Sequence, residues 1–154
     1  VSEPTTIEPL RISFDVAYSA EQALNTWANK TSLWWPEALT SEAVPGFTVT
    51  YEPRIGGRIF EKAPSGKETE WGEITAWDPP KRLAYAFHIM TTRERATDVE
   101  IAFIPSEARK TRVEITHTGW ERLGAGGKDW RDQNYSGWSR VLPYFIEACA
   151  ATGV

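Results

Sequence analysis

Cysteine, histidine and methionine are almost missing from this 154-residue chain: Cys149 stands alone, His88 and His117 are the two histidines, and Met90 is the single methionine. One thiol excludes an intrachain disulfide, and no paired thiols form a zinc or redox motif. A reducing cytoplasm is the compartment this composition predicts. Two distant histidines and scattered acids assemble no ligand set, so neither a metal nor a cofactor is expected. There is no basic excess, with 17 Lys and Arg against 21 Asp and Glu and a net charge of −4. Nucleic acid and anionic membranes therefore lack an electrostatic basis as partners. No apolar run reaches the roughly 20 residues of a membrane span, and the polar opening VSEPTTIEPL lacks the pattern of a signal peptide. Gly-x-Ser-x-Gly, His-Glu-x-x-His and dinucleotide fingerprints are absent, leaving hydrolase, zinc-protease and Rossmann readings without support. Gly56-Gly57 opens a strand after Pro53, which fits a hairpin turn better than a phosphate loop.

What the chain has instead is tryptophan, eight of them. Large amphipathic rings serve both cores and ligand sites, and composition alone does not separate those uses. The length suits one domain spanning 1–154, with residues 1–8 as a loose arm. From Leu10 to Val16 apolar and polar residues alternate, the pattern of a half-buried strand. Ser19 and Gln22 then form a capping-box pattern for a helix from Ala20 to about Asn29, and Thr31 is placed to cap a second helical turn that Pro36 closes.

Six further strands follow, in FTVTY from Phe47, RIFEKA, Glu68–Trp77, RLAYAFHI, TDVEIAFI and TRVEITHT. Short polar turns between them predict an antiparallel meander with one dry face. Gly72 marks a bulge or a close backbone approach. After a glycine-rich connection from Gly119 to Gly127, the stretch from about Asp132 to Ala151 carries Trp138, Val141, Leu142, Phe145, Ile146 and Cys149 at intervals of three and four. That is one apolar stripe of a helix, weakened or bent by Gly137 and Pro143. The predicted class is α+β: a curved antiparallel sheet of six to seven strands wrapped around a long C-terminal helix, with two short helices after the first strand.

The motifs Trp34-Trp35, YEPRIGGRIFE (Tyr51 to Glu61), WGEITAWDPPKRLAYAF (Trp71 to Phe87) and TRVEITHTGW (Thr111 to Trp120), in this order, resemble the family named for the activator of the heat shock protein 90 ATPase. The resemblance covers about Leu10 to Ala150 and implies the helix-grip fold of the START-like (SRPBCC) superfamily. It also implies a chaperone as possible partner and a place in the stress response. The eukaryotic co-chaperone's additional N-terminal domain has no room in this chain, which ranks that partner second. The superfamily includes lipid carriers, hormone receptors and polyketide cyclases, so fold alone selects no chemistry.

The leading expectation is a binding module, monomer or homodimer, whose apolar cavity holds a small hydrophobic or aromatic molecule. Its expected lining is Trp35, Trp71, Tyr85, Phe87, Phe103, His117, Trp120, Trp138, Leu142 and Phe145. A third reading is a cyclase- or hydratase-type enzyme using an inward His or carboxylate. Strand parity aims His117 inward, either as polar anchor or general acid/base, or as a strand-end histidine bonded to backbone. Parity also allows Glu61 and Glu70 to point inward, but a single bulge reverses it. His88 falls on the opposite parity from Phe87 and is expected in solvent.

Overall fold

The computed structural model describes residues 7–107 and 109–150. The predicted loose arm falls mostly on residues 1–6, outside the described residues. Seven strands, β1 (Leu10–Val16), β2 (Thr48–Tyr51), β3 (Arg58–Lys62), β4 (Glu68–Asp78), β5 (Arg82–Phe87), β6 (Thr97–Glu107) and β7 (Lys110–Thr118), form one antiparallel sheet. Its order is β1-β7-β6-β5-β4-β3-β2, so β1 closes on the last strand and the rest is a meander. The curved sheet holds a 24-residue helix, α3 (Gly127–Ala150), against its inner face. Two short helices, α1 (Ala20–Asn29) and α2 (Thr31–Trp34), follow β1.

Local sequence explains most of these boundaries. Ser19 caps α1, accepting from the Gln22 backbone N–H while the Gln22 side chain accepts from the Ser19 N–H. Thr31 does not cap α2: it lies inside the helix, and its hydroxyl donates back to the Trp27 carbonyl. Gly119, with φ of 95°, ends β7 in the left-handed region that glycine occupies without penalty. The helix α3 begins at Gly127, earlier than the stripe predicts, and runs through both Gly137 and Pro143. Trp138, Val141, Leu142, Phe145 and Cys149 are buried along one face. Ile146, expected in that stripe, sits at its edge and is 36% exposed. Burial pushes the Cys149 thiol up to about 12, which keeps it protonated and unreactive.

A bulge in β4 decides which way its side chains face. Ile59 pairs with Gly72 and Phe60 with Glu70, so Trp71 is an extra residue in a bulge. The bulge lets Trp71 and Gly72 both be buried and turns Glu70 outward. At Gly72 a Cβ would stand 1.9 Å from the Ala86 carbonyl oxygen, so only glycine permits β4 and β5 to approach this closely.

Glu61, by contrast, is on the dry side and 1% exposed. Its carboxylate accepts from the Ser41 N–H (2.6 Å), the Glu42 N–H (3.1 Å) and the Trp71 indole N–H (2.7 Å). One side chain thus fastens the segment after α2 to β3 and to β4. Replacing it leaves three donors without an acceptor. Glu61→Ala is expected to cost about 3 kcal/mol in urea unfolding, and Glu61→Gln, which keeps one acceptor oxygen, to cost less. Equal stability of the alanine variant and wild type would contradict this role.

Candidate functional site

Three elements leave space between them. On α3 the residues Trp130, Gln133, Asn134, Gly137, Trp138, Arg140 and Val141 face it; Phe87, Ile89 and Met90 come from the end of β5, and Trp35 and Leu39 from the turn after α2. The cavity measures about 480 Å³, within the roughly 300–1,000 Å³ of small-molecule sites. Gly137 is what keeps it open on the helix side, because a Cβ there would meet nothing within 4 Å. Met90 is on the rim, 57% exposed, with φ of 63°. A non-glycine residue in that region is strained, a feature that concentrates at binding sites.

The two sides of the cavity are held rigid by buried hydrogen bonds. Trp35 donates from Nε1 to the Leu39 carbonyl (3.1 Å) and packs on Trp71 with ring centres 4.7 Å apart. Trp71 is in turn fixed by Glu61. Across the cavity, Trp138 stacks on Phe87 and donates from Nε1 to His117 Nδ1 at 3.1 Å. A nitrogen that accepts carries no proton, so the neutral ring has its hydrogen on Nε2. Nε2 then donates to Thr97 Oγ1 (2.6 Å), whose hydroxyl points to the Phe87 carbonyl (3.5 Å). Burial drives the His117 pKa down to about 3.

Of the residues expected to line the cavity, Trp35, Phe87 and Trp138 do so. Trp71, Tyr85, Phe103, His117, Trp120, Leu142 and Phe145 are buried but lie outside the lining, packed into the core. Trp71 supports Trp35, and His117 supports Trp138. Glu61 is committed to the Ser41 and Glu42 N–H groups and to Trp71. The bulge at Trp71 takes Glu70 away from the dry face, where it pairs with Arg93 and accepts from His88 Nε2 (2.8 Å). Arg93, and secondarily His88, hold the Glu70 carboxyl below its ordinary pKa. His88 is therefore not in solvent as its parity suggests but 7% exposed, covered on the side where Glu70 and Arg93 meet. The sequence reading missed Leu39, Ile89, Met90, Gln133, Asn134, Gly137 and Arg140 as wall residues. The signal for the helical ones was present: 130, 133, 134, 137, 138 and 141 are one face of a helix, provided that the helix starts by Gly127.

Chemically the site is an apolar slot with three polar side chains at its helix side, Gln133, Asn134 and Arg140, and among the described residues no carboxylate or imidazole lines it. Arg140 is exposed and takes part in no ion pair among the described residues. Among the described residues no three His, Cys, Asp or Glu side chains gather as a metal site, and no helix is long and apolar enough to cross a membrane.

A curved antiparallel sheet closed on a long C-terminal helix, with an aromatic cavity between them, defines a helix-grip protein of the START-like superfamily. The chain belongs to the family of activator of Hsp90 ATPase homolog 1-like proteins, whose model matches residues 17–150. Among solved structures it is similar to an anthrahydroquino-γ-pyrone synthase, Txn09, at 32% identity over 92% of this chain and 97% of that one, with a TM-score of 0.65. CalC, a self-sacrificing resistance protein from Micromonospora echinospora, is 24% identical over 95% of this chain and 96% of its own, with a TM-score of 0.69. An Hsp90 activator from Plasmodium falciparum is 19% identical over 91% and 94%, with a TM-score of 0.61. No curated protein matches the chain.

The His117 geometry fixes the sign of a pH effect. Its folded pKa lies below the ordinary 6.5, so the unfolded chain takes up the proton first as pH falls. The stability that neutral His117 contributes is complete above about pH 6.5 and is lost progressively from there toward about pH 3. Between pH 7 and pH 5 the loss is expected to reach about 2 kcal/mol. His117→Asn, which still offers Trp138 an acceptor, should flatten this slope in urea unfolding; an unchanged slope would show that His117 is not its source.

Proposed function

We propose that the protein binds a flat, polycyclic, hydroxylated aromatic molecule in this cavity, with an acidic substituent of the ligand at Arg140. The observation that carries the reading is the cavity itself: indole and phenyl walls clamped by hydrogen bonds, and at its side a guanidinium with no ion-pair partner among the described residues. Ring faces supply area, while Arg140 supplies a planar, permanently charged donor suited to carboxylate or phenolate. The 32% identity to an anthrahydroquino-γ-pyrone synthase supports an anthrahydroquinone-like ligand.

That same likeness favours a second reading, a cyclase-type reaction on the bound aromatic. With no acid or base in the lining among the described residues, the protein's part would be to hold the reacting geometry and to stabilise a developing oxyanion at Arg140. The chaperone reading draws on the family name, and an ATPase assay with the host's own chaperone at saturating protein tests it separately. A cytoplasmic location and the choice between monomer and homodimer belong to the same proposal and are open to fractionation and to sedimentation.

Ligand binding is tested by tryptophan quenching with hydroxylated anthraquinones. Gly137→Leu should fill the open space, abolish quenching and raise stability by about 0.5–1 kcal/mol, since glycine is a poor helix residue. Arg140→Ala should weaken acidic ligands about tenfold and leave neutral ones within about twofold. Undiminished binding in the leucine variant would overturn the cavity as the site.

A further inference from the structure

The polar side chains of the cavity differ in what they are free to offer a ligand. Arg140 brings donors only. Gln133 makes no hydrogen bond among the described residues, so its amide turns either end to a ligand and discriminates little. Asn134 is different, because one end of its amide is already engaged: Nδ2 donates to the Trp130 carbonyl, one turn back, at 2.9 Å. A carbonyl only accepts, so the amide end beside it is the NH2 end, and chemistry fixes which way the group points. That leaves Oδ1. It accepts from no group among the described residues, yet it is not one of the buried polar atoms without a partner. In a half-buried residue that lines the cavity, such an oxygen opens onto space.

The place of Asn134 on α3 determines which part of a ligand it meets. Arg140 follows it by six residues, which sets the two about 9 Å apart along the helix axis and about 120° apart around it. Gly137 lies midway between them and leaves that diagonal clear. Asn134 shares its flank with Trp138, four residues on, whose ring is held by His117. We infer that Asn134 selects a phenolic hydroxyl of the ligand, at the end of the ring system opposite the acidic group at Arg140. The ligand class is thereby a hydroxyaryl acid whose two polar substituents stand at opposite ends. A hydroxyl donates its proton to Oδ1, whereas an ether or carbonyl oxygen in the same place sets lone pair against lone pair and leaves both unpaired.

The inference rests on the aromatic-ligand reading, and three probes separate the two. They are an anthraquinone carboxylate with a hydroxyl on the ring farthest from the acid, the same molecule with that hydroxyl methylated, and the parent acid without it. By calorimetric titration, wild type is expected to bind the hydroxyl probe about fivefold more tightly than the parent, and the methoxy probe no more tightly than the parent. Asn134→Leu should weaken the hydroxyl probe about fivefold and leave the other two within about twofold. Its thermal midpoint should not fall, since leucine is the better helix former and the Trp130 carbonyl keeps its place in the helical ladder; this guards against misfolding as the cause. A hydroxyl probe no tighter than the parent, a methoxy probe as tight as the hydroxyl one, equal losses for all three in the variant, or no loss for the hydroxyl probe would overturn the role of Asn134 while the cavity reading stands. Binding of none of the three to wild type would end both.

Discussion

The hydrogen bond from the Trp138 indole to His117 Nδ1 ties the final helix to the sheet at one defined point. Apolar contact between α3 and the strands is strong but non-directional, so burial alone tolerates a helix that slides or turns. A buried donor has no such freedom, because each small displacement leaves it unpaired at a cost comparable to the bond itself. The bond is one link of a chain through His117 Nε2, Thr97 and the Phe87 carbonyl. The same few atoms therefore set the height of α3, the angle of Trp138 and the position of β5, and those three together form one side of the cavity. The arrangement demands a neutral imidazole, which is why stability and wall geometry share a single pH dependence.

A cavity of this size persists only if its walls cannot collapse into it. Opposite Trp138, the Trp35 ring leans on Trp71, and Trp71 is held by a carboxylate that also fastens the Ser41–Glu42 backbone. The two sides are thus pinned by independent polar anchors, Glu61 and His117, each buried behind the surface that it supports. Between them the helix presents Gly137, where no side chain reaches across. Rigid walls with a missing side chain in the middle make a space by construction, and neither feature alone would do so.

Much of this was legible in the sequence. Strand alternation, the Ser19–Gln22 capping box, the order of elements and the inward turn of His117 follow from periodicity and local chemistry. Gly72 signalled the bulge beside it, but not which side chains that bulge would redirect: Glu70 is turned outward and His88 is buried against it. The start of α3 was missed for a different reason: Gly124, Gly126 and Gly127 read as a loop, and the helix begins on the last of them. Starting at Asp132 removed Trp130 from the stripe and hid the 130–133–134–137 face that lines the cavity. Tyr85 and Phe103 illustrate a third limit. Parity places them on the dry side, but it does not distinguish a residue that borders empty space from one packed a layer deeper.

The placement of ionisable groups bears on chemistry as well as on stability. The three acid–base candidates that the sequence offers are engaged: Glu61 by three N–H donors, Glu70 by Arg93 and His88, His117 by Trp138 and Thr97. To use His117 as a base would require Nδ1 to release the Trp138 indole, and that would loosen the cavity wall. In this arrangement that nitrogen serves as a structural acceptor. Beside the cavity, Arg140 takes part in no ion pair among the described residues. The buried polar groups behind the cavity are thus spent on holding its walls in place.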